Sequence, residues 1–474
     1  MLRIHSKTLD NLLKIETDEE LWSVEVNNVH LWSIIRTQVL KEVLHRELDL
    51  KSRNAPSRKQ NRFVLAHFSR HGQFLWDFLT PTAKPHDALF IKVSTTRIDH
   101  ITSQTSLDRV YDPYFEKFDN PLILEDYSLS FDFLPDHAYR IYPLETLDLI
   151  NAILKRFYRL PASYDQTCVD FAHDIANLFQ LSDEIPRFIK KLQGLIRIYH
   201  IQKQLFESYI VPHLMNRICF MHASSYLADW GLRTKALHDL DFKVYEIQHG
   251  LIYPNHIAYN YPLSCFDPDH PSQPYLPDAF ISYGEYWHNR IQLPTEKIAL
   301  GYPYLNKIAA QAHTIDVVDN QCLLISQLVE DDGTNPIANI AEALAENYPD
   351  LPIVFKLHPR EHHLRERYQY LTKYRNIRLA DGSADVYHLI AQSELIVGDM
   401  STVLVEALAF DDKRIFFSGD DGYISSAVGY RYTDLDDLIS AIAKPDAGLP
   451  TIREKDIWQK DWSARCDSFL SNLQ

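Results

Sequence analysis

The chain has 474 residues, enough for two or three domains at about 150 residues each. Its 46% apolar and 24% charged residues, with 7 Trp, 27 Tyr and 23 Phe, exclude disorder as the dominant state. The 48 basic against 64 acidic residues, net −16, exclude a whole-surface attraction to nucleic acid.

In chain order, the first 22 residues turn acidic before any apolar run forms, which predicts no signal peptide. Residues 29–48 carry apolar side chains at helical spacing. KSRNAPSRKQNR (51–62) follows, basic and without an acid. It reads as a solvated loop or as a contact for anionic lipid or an anionic acceptor. FVLAH (63–67) and ALFIK (88–92) predict short buried strands. From Pro143 to about Lys235 the pattern is helical. Within it, 187–206 interleaves Arg187, Lys190, Lys191, Arg197 and Lys203 with an apolar stripe. That is a core helix with a basic solvent face, or one lying on a membrane surface.

Strand signals return at 243–247, 279–282 and 297–300. Beyond GYP (301–303) short apolar runs at 322–326, 352–357, 377–380, 394–398 and 414–417 alternate with helical stretches at 336–347, 361–373, 384–391 and 402–409. Such alternation predicts a parallel, doubly wound α/β sheet, whose ligands bind beyond the carboxyl ends of the strands. Residues 453–473 read as a terminal helix. The longest uncharged run, 247–266, is too rich in Pro, His and Asn to span a bilayer. Cys168, Cys219, Cys265, Cys322 and Cys466 are scattered, arguing against disulfides or a zinc site and for a reducing, cytoplasmic compartment.

Four segments that can do chemistry each follow a predicted strand. His249 and Gly250 follow 243–247; a histidine there serves as base or phosphate donor, the glycine easing a sharp turn, or the pair is a plain turn. Glu330, Asp331, Asp332 and Gly333 follow 322–326. Crowded carboxylates raise a pKa, as a base for a sugar hydroxyl requires, or they form a polar turn before a helix. His358 and Pro359 follow 352–357, the proline locking a turn behind a histidine able to donate to a phosphate. Asp399, Ser401 and Thr402 follow 394–398. Ser401 is placed to cap a helix whose first turn is an anion site, with Glu406 one turn deeper. There is no P-loop, GxGxxG or GxSxG, and no DxD-like string at a strand end, so neither a metal nor a cofactor is expected.

The order of these segments, over about 243–417, resembles bacterial GT-B glycosyltransferases of surface-polysaccharide synthesis. Gln248-His249-Gly250 with the later GYP is similar to the tryptophan-histidine-glycine segment of CDP-glycerol glycerophosphotransferases, Gln248 standing where that family has tryptophan. Asp331-Asp332-Gly333, His358-Pro359 and Ser401-Thr402 resemble the motifs of bacterial sialyltransferases, and capsule Kdo transferases look similar in architecture.

The resemblance implies two Rossmann-like doubly wound domains facing a cleft. Residues 1–305 would be the acceptor side, with helical insertions at about 143–237. Residues 306–450 would be the nucleotide-sugar side, and 451–474 a helix packing back on the first domain. It implies Asp331 as base, or His249 if the donor is a polyol phosphate. His358 would then meet the donor phosphate, Ser401 and Thr402 would bind it, and Glu406 would reach the ribose. Pro359 and Gly333 would shape the donor loops, with Glu330, Asp332, Asp399 and Gly250 as secondary candidates. The implied activity is inverting, metal-independent transfer from a CMP-linked 2-keto acid sugar (sialic, pseudaminic or Kdo type) to a glycan or lipid-linked glycan. A CDP-glycerol-type transferase, a nucleotide-sugar epimerase, a non-catalytic capsule partner and peripheral contact with the inner membrane stay open.

Overall fold

The computed structural model describes residues 6–47, 68–79, 85–100, 105–126, 134–135, 139–327, 335–380, 384–419 and 423–473. The expected strand at 63–67, the basic stretch 51–62 and the acidic segment 330–333 lie outside the described residues. The chain divides into two compact units. The first gathers Met1–His249, Pro254–Ser282 and Ile291–Ile298, the second Gly250–Tyr253, Tyr283–Arg290 and Ala299–Gln474.

The first unit is built on a seven-stranded sheet. Its strands are β1 (Leu89–Val93), β2 (Leu122–Asp126), β3 (Ile141–Pro143), β4 (Ile218–Met221), β5 (Lys243–Ile247), β6 (Ala279–Ser282) and β7 (Glu296–Ala299). Their order across the sheet is β3-β2-β1-β4-β5-β6-β7, and the pairs from β3 to β6 are parallel. Strands β1, β4 and β5 are buried along nearly their whole length, as expected where helices cover both faces of a sheet.

Strand β4 corrects the reading of 143–235 as helical throughout. Helices do occupy Leu144–Leu154, Ala162–Leu178, Ile185–Leu205 and Ala228–His238, but Ile218–Met221 inserts between β1 and β5. Four apolar residues buried on both faces carry no periodicity of their own. The helix Ile185–Leu205 buries Phe188, Leu192, Leu195, Ile196 and Tyr199. Its cations are met by acids, Arg187 by Glu184 at 3.1 Å and Lys191 by Asp229 at 3.1 Å, which makes it a core helix with a basic outer face.

The second unit carries a six-stranded parallel sheet: β8 (Cys322–Ile325), β9 (Ile353–Lys356), β10 (Ile377–Ala380), β11 (Leu395–Gly398), β12 (Arg414–Phe417) and β13 (Tyr430–Arg431). The order is β10-β9-β8-β11-β12-β13, with every pair parallel. Cys322, Leu324, Phe355, Val397 and Phe416 from the strands meet Ile337, Leu344 and Leu438 from the helices in its core. Both units therefore have the doubly wound α/β architecture expected from the sequence, with the strand order reversing once in each.

Two elements of the second unit differ from expectation. Residues 359–373 form a 3-10 helix; its first turn is tied by an i→i+3 bond from Glu361 N–H to the His358 carbonyl at 2.8 Å. The terminal stretch is broken into Glu454–Ile457 and Trp462–Ser471. Asp461 lies in the left-handed region at φ 61°, and Gln459 N–H is drawn to the Tyr283 carbonyl at 2.7 Å. Among the described residues no helix is long and apolar enough to cross a membrane.

Candidate functional site

In a doubly wound sheet the strands on either side of the order reversal send their following loops in opposite directions, opening a crevice at their carboxyl ends. In the second unit that point lies between β8 and β11, with β9 next to β8. His358 follows β9, the acidic segment 330–333 follows β8 in the chain, and Asp399–Thr402 follow β11. Three neighbouring strands thus lead into three of the four segments singled out in the sequence. Two inter-strand steps span about 10 Å, the scale of a nucleotide's ribose and phosphates.

A buried polar lattice underlies this edge, and the sequence reading missed it. Glu361 is fully buried. It accepts from the Ser326 hydroxyl at 2.5 Å, the Tyr368 hydroxyl at 2.5 Å and the His358 backbone N–H at 3.1 Å. Asn335 donates to Ser326 Oγ at 2.8 Å while its carbonyl oxygen caps the next helix at Ile337 N–H. The lattice fixes the turn after β9 and so holds the His358 backbone in place. Ser401 caps the short helix Thr402–Glu406 by accepting from Val403 N–H at 3.3 Å. That helix is five residues long and passes into a 3-10 turn at Ala407–Ala409, where a longer α-helix was expected. Asp399 accepts from the Ser418 hydroxyl at 2.8 Å, joining the loops after β11 and β12. Glu406 is buried one turn below Ser401.

The first unit has its own constellation at the carboxyl ends of β1, β4 and β5. His249 follows β5 and stacks on His222, the residue after β4, with ring centroids 3.9 Å apart. His222 shares a hydrogen bond of 3.2 Å with the Tyr111 hydroxyl through Nδ1, and its backbone N–H donates to Ile91 of β1 at 3.1 Å. The loop after His249 is anchored from the amino-terminal helix Leu31–Glu47. There the buried Arg36 is paired with Glu16 and donates to the carbonyls of Ile257 and Asn260, each at 2.8 Å. Gly250 is not sterically required: its φ is not positive, and a side chain there would meet nothing within 4 Å.

Beneath the histidines runs a charged network. Lys92 of β1 is fully buried, 2.6 Å from Asp108 and 3.0 Å from Glu125 of β2, and Arg97 meets Glu125 at 2.5 Å. Burial alone would raise the Asp108 carboxyl; the Lys92 ammonium instead brings it below its ordinary value. Lys92, Glu125, Glu246 and His222 were not singled out from sequence. The available signal was a charge inside an apolar strand, as in LFIKV, LILED and KVYEI. Among the described residues no group of three or more His, Cys, Asp or Glu is arranged to hold a metal ion.

Burial depresses His249 to about 4 and His256 to about 3, and drives His222 well below its ordinary value. Burial also raises Glu246 to about 7, against hydrogen bonds from Ser225 and the Tyr259 hydroxyl. The three histidines contribute stability that is full above about pH 6.5 and is lost as pH falls through their native values. Glu246 acts oppositely, its contribution present below about pH 4.5 and lost as pH rises through 7. Three sites outweigh one, so unfolding free energy should fall between pH 6.5 and 4.5. His256→Gln should flatten that slope by up to about 1.4 kcal/mol per pH unit. Urea titrations at several pH values test this, and a level profile from pH 6.5 to 5 would refute it.

No family model matches the sequence, and no curated protein matches it. Solved structures do. The chain is similar to the UDP-GlcNAc 2-epimerase from Neisseria meningitidis bound to UDP-GlcNAc at 14% identity, covering 81% of this chain and 100% of that one with a TM-score of 0.44. It is similar to Anabaena HepE in complex with UDP and glucose at 11% identity, covering 82% and 99% with a TM-score of 0.42. Similarity to the wall teichoic acid polymerase TagF is 13%, covering 88% and 93% with a TM-score of 0.39.

Proposed function

We propose that the chain is an inverting, metal-independent glycosyltransferase of the GT-B kind. In this reading it uses a nucleotide-activated sugar, with a CMP-linked 2-keto acid sugar as the favoured donor and a glycan or lipid-linked glycan as acceptor. The observation that carries the reading is the strand order of the second unit, which makes β9, β8 and β11 neighbours at the point where the order reverses. The second unit then binds the nucleotide, with Ser401 and Thr402 at the phosphate and Glu406 toward the ribose. The first unit receives the acceptor.

In the proposed step the acceptor oxygen forms a bond to the anomeric carbon as the bond from that carbon to the phosphate oxygen breaks. The acceptor proton passes to the Asp331 carboxylate. The phosphate leaves with the bonding electron pair, its growing charge offset by His358 and the two hydroxyls. A single displacement inverts the anomeric centre. His249, held near pKa 4 by burial, is a weak base at neutral pH. That favours His249 as a neutral hydrogen-bonding partner of the acceptor or of the donor carboxylate, and Asp331 is assigned as proton acceptor on the sequence resemblance.

Thermal melting against CMP, CDP, UDP, GDP and CMP-sialic acid tests donor binding. A cytidine nucleotide at a hundred times its Kd should add about 2.7 kcal/mol of stability. A response confined to UDP or GDP would overturn the donor class. No response to any nucleotide at millimolar concentration would overturn donor binding itself.

A further inference from the structure

Independently of that activity, the first unit presents a surface whose chemistry matches a lipid headgroup layer. The helix Leu144–Leu154 packs through Leu144 and Leu147, while Leu149 and Ile153, four apart and so on one face, stay exposed together with Leu154. Just past its end Phe157 is 78% exposed, the largest value among the large apolar side chains of the described residues. A phenyl ring left in water beside three aliphatic side chains is costly unless something covers it.

Lys155, Arg156 and Arg159 interleave with these residues and are exposed. No acid lies between Leu149 and Leu160, and no described residue makes an ion pair with any of the three. The nearest acid on the helix, Asp148, is engaged by Arg233 at 2.9 Å. In a chain of net charge −16 a segment with three unneutralised cations around an apolar cluster is a local reversal of sign.

The backbone suits immersion too. Three of the last four carbonyls of the helix are bonded internally, Asn151 by Lys155 N–H, Ile153 by Arg156 N–H and Leu154 by Phe157 N–H, which lowers the cost of placing this end against lipid. Tyr158 stacks on His200 at 5.7 Å, pinning the turn against the body of the unit. The helix Phe68–Leu79 packs on the neighbouring edge strand β3 through Phe74 and Phe78 against Tyr142, and also presents Trp76, 68% exposed.

We infer that Leu149, Ile153, Leu154 and Phe157 insert into the interface of an anionic bilayer while Lys155, Arg156 and Arg159 hold its headgroups. Apolar anchors ringed by cations bind such surfaces through buried area plus attraction to acidic lipid. The occupant is lipid and not an acidic protein, because the anchors are exposed aliphatic and aromatic side chains with cations interleaved among them.

Sedimentation of the full chain with vesicles of phosphatidylcholine and phosphatidylglycerol (3:1), and with phosphatidylcholine alone, tests this. Binding should favour the anionic vesicles and weaken with salt. Neutralising each cation, in Lys155→Ser, Arg156→Ser and Arg159→Ser, should cost about fivefold. Ile153→Ser with Phe157→Ser should cost about tenfold or more. These residues are exposed, so unchanged melting temperatures will show the variants to be folded. Absence of vesicle binding by the unaltered chain would overturn the inference. So would binding untouched by these substitutions, equal binding to neutral vesicles, or light scattering showing that the patch is covered by a second copy.

Discussion

Asp331→Asn is expected, on the proposed mechanism, to slow sugar transfer by about 10²–10⁴-fold with donor affinity nearly kept, because the substitution removes the proposed proton acceptor. His249→Gln should lose far less, its amide still able to hydrogen-bond where a neutral imidazole did. The comparison assigns the base. Burial has already taken His249 down to about pKa 4, beside the stacked ring of His222, and an effective general base titrates closer to the working pH. If instead His249→Gln carries the larger loss and Asp331→Asn is mild, the roles exchange and a polyol-phosphate donor becomes the better reading. His358→Ala belongs to the same experiment. It should cost about 10²–10³-fold in kcat through lost stabilisation of the leaving phosphate. The fold should survive, because the Glu361 contact that fixes this turn is to the backbone N–H, which the substitution keeps. Near-normal turnover in folded His358→Ala would remove it from the mechanism.

Lys92→Met is expected to destabilise the first unit by about 3–5 kcal/mol. The ammonium is fully buried between Asp108 and Glu125, so its loss leaves two carboxylates in the interior, with Glu125 still paired to Arg97. Asp108 also accepts from the Thr96 hydroxyl and from Val110 and Tyr111 N–H groups. The damage should therefore spread to Tyr111 and through its hydroxyl to His222. Denaturant unfolding measures the loss, and the Asp108 carboxyl, no longer held down by the Lys92 ammonium, should also take up a proton at higher pH than in the unaltered chain. A loss below about 1 kcal/mol would show that the network is not what ties β1 to β2 at this edge.

The second unit was largely legible in the sequence. Each of its strands β8 to β12 is a short β-branched run, and each motif lies directly after one, because a two-sided parallel sheet needs continuous apolar strands and puts chemistry in the loops. The first unit was less so. Strands β2, β3 and β4 were passed over, since strands of three to five residues carry no period that separates strand from helix. The buried residues Lys92, Glu125 and Glu361 were missed for a different reason. Their roles depend on partners 16 or more positions away, or on neighbours set only by the sheet. Glu361 reads as one more charge in a polar stretch until Ser326 and Tyr368 are brought to it.

The chain crosses between its two units five times, at 249/250, 253/254, 282/283, 290/291 and 298/299. Residues 283–290 are integral to the second unit. Tyr283 stacks on Tyr302 at 4.4 Å, the Trp287 indole donates to the Ile457 carbonyl at 3.1 Å, and a side chain at Gly284 would collide with that same carbonyl. A gene fragment starting at 299 would leave Trp458 without these neighbours, and one ending at 298 would carry them as an exposed aromatic hook. The halves are thus not interchangeable modules. A hybrid that exchanges the second unit would have to carry residues 250–253 and 283–290 together with everything from 299 onward.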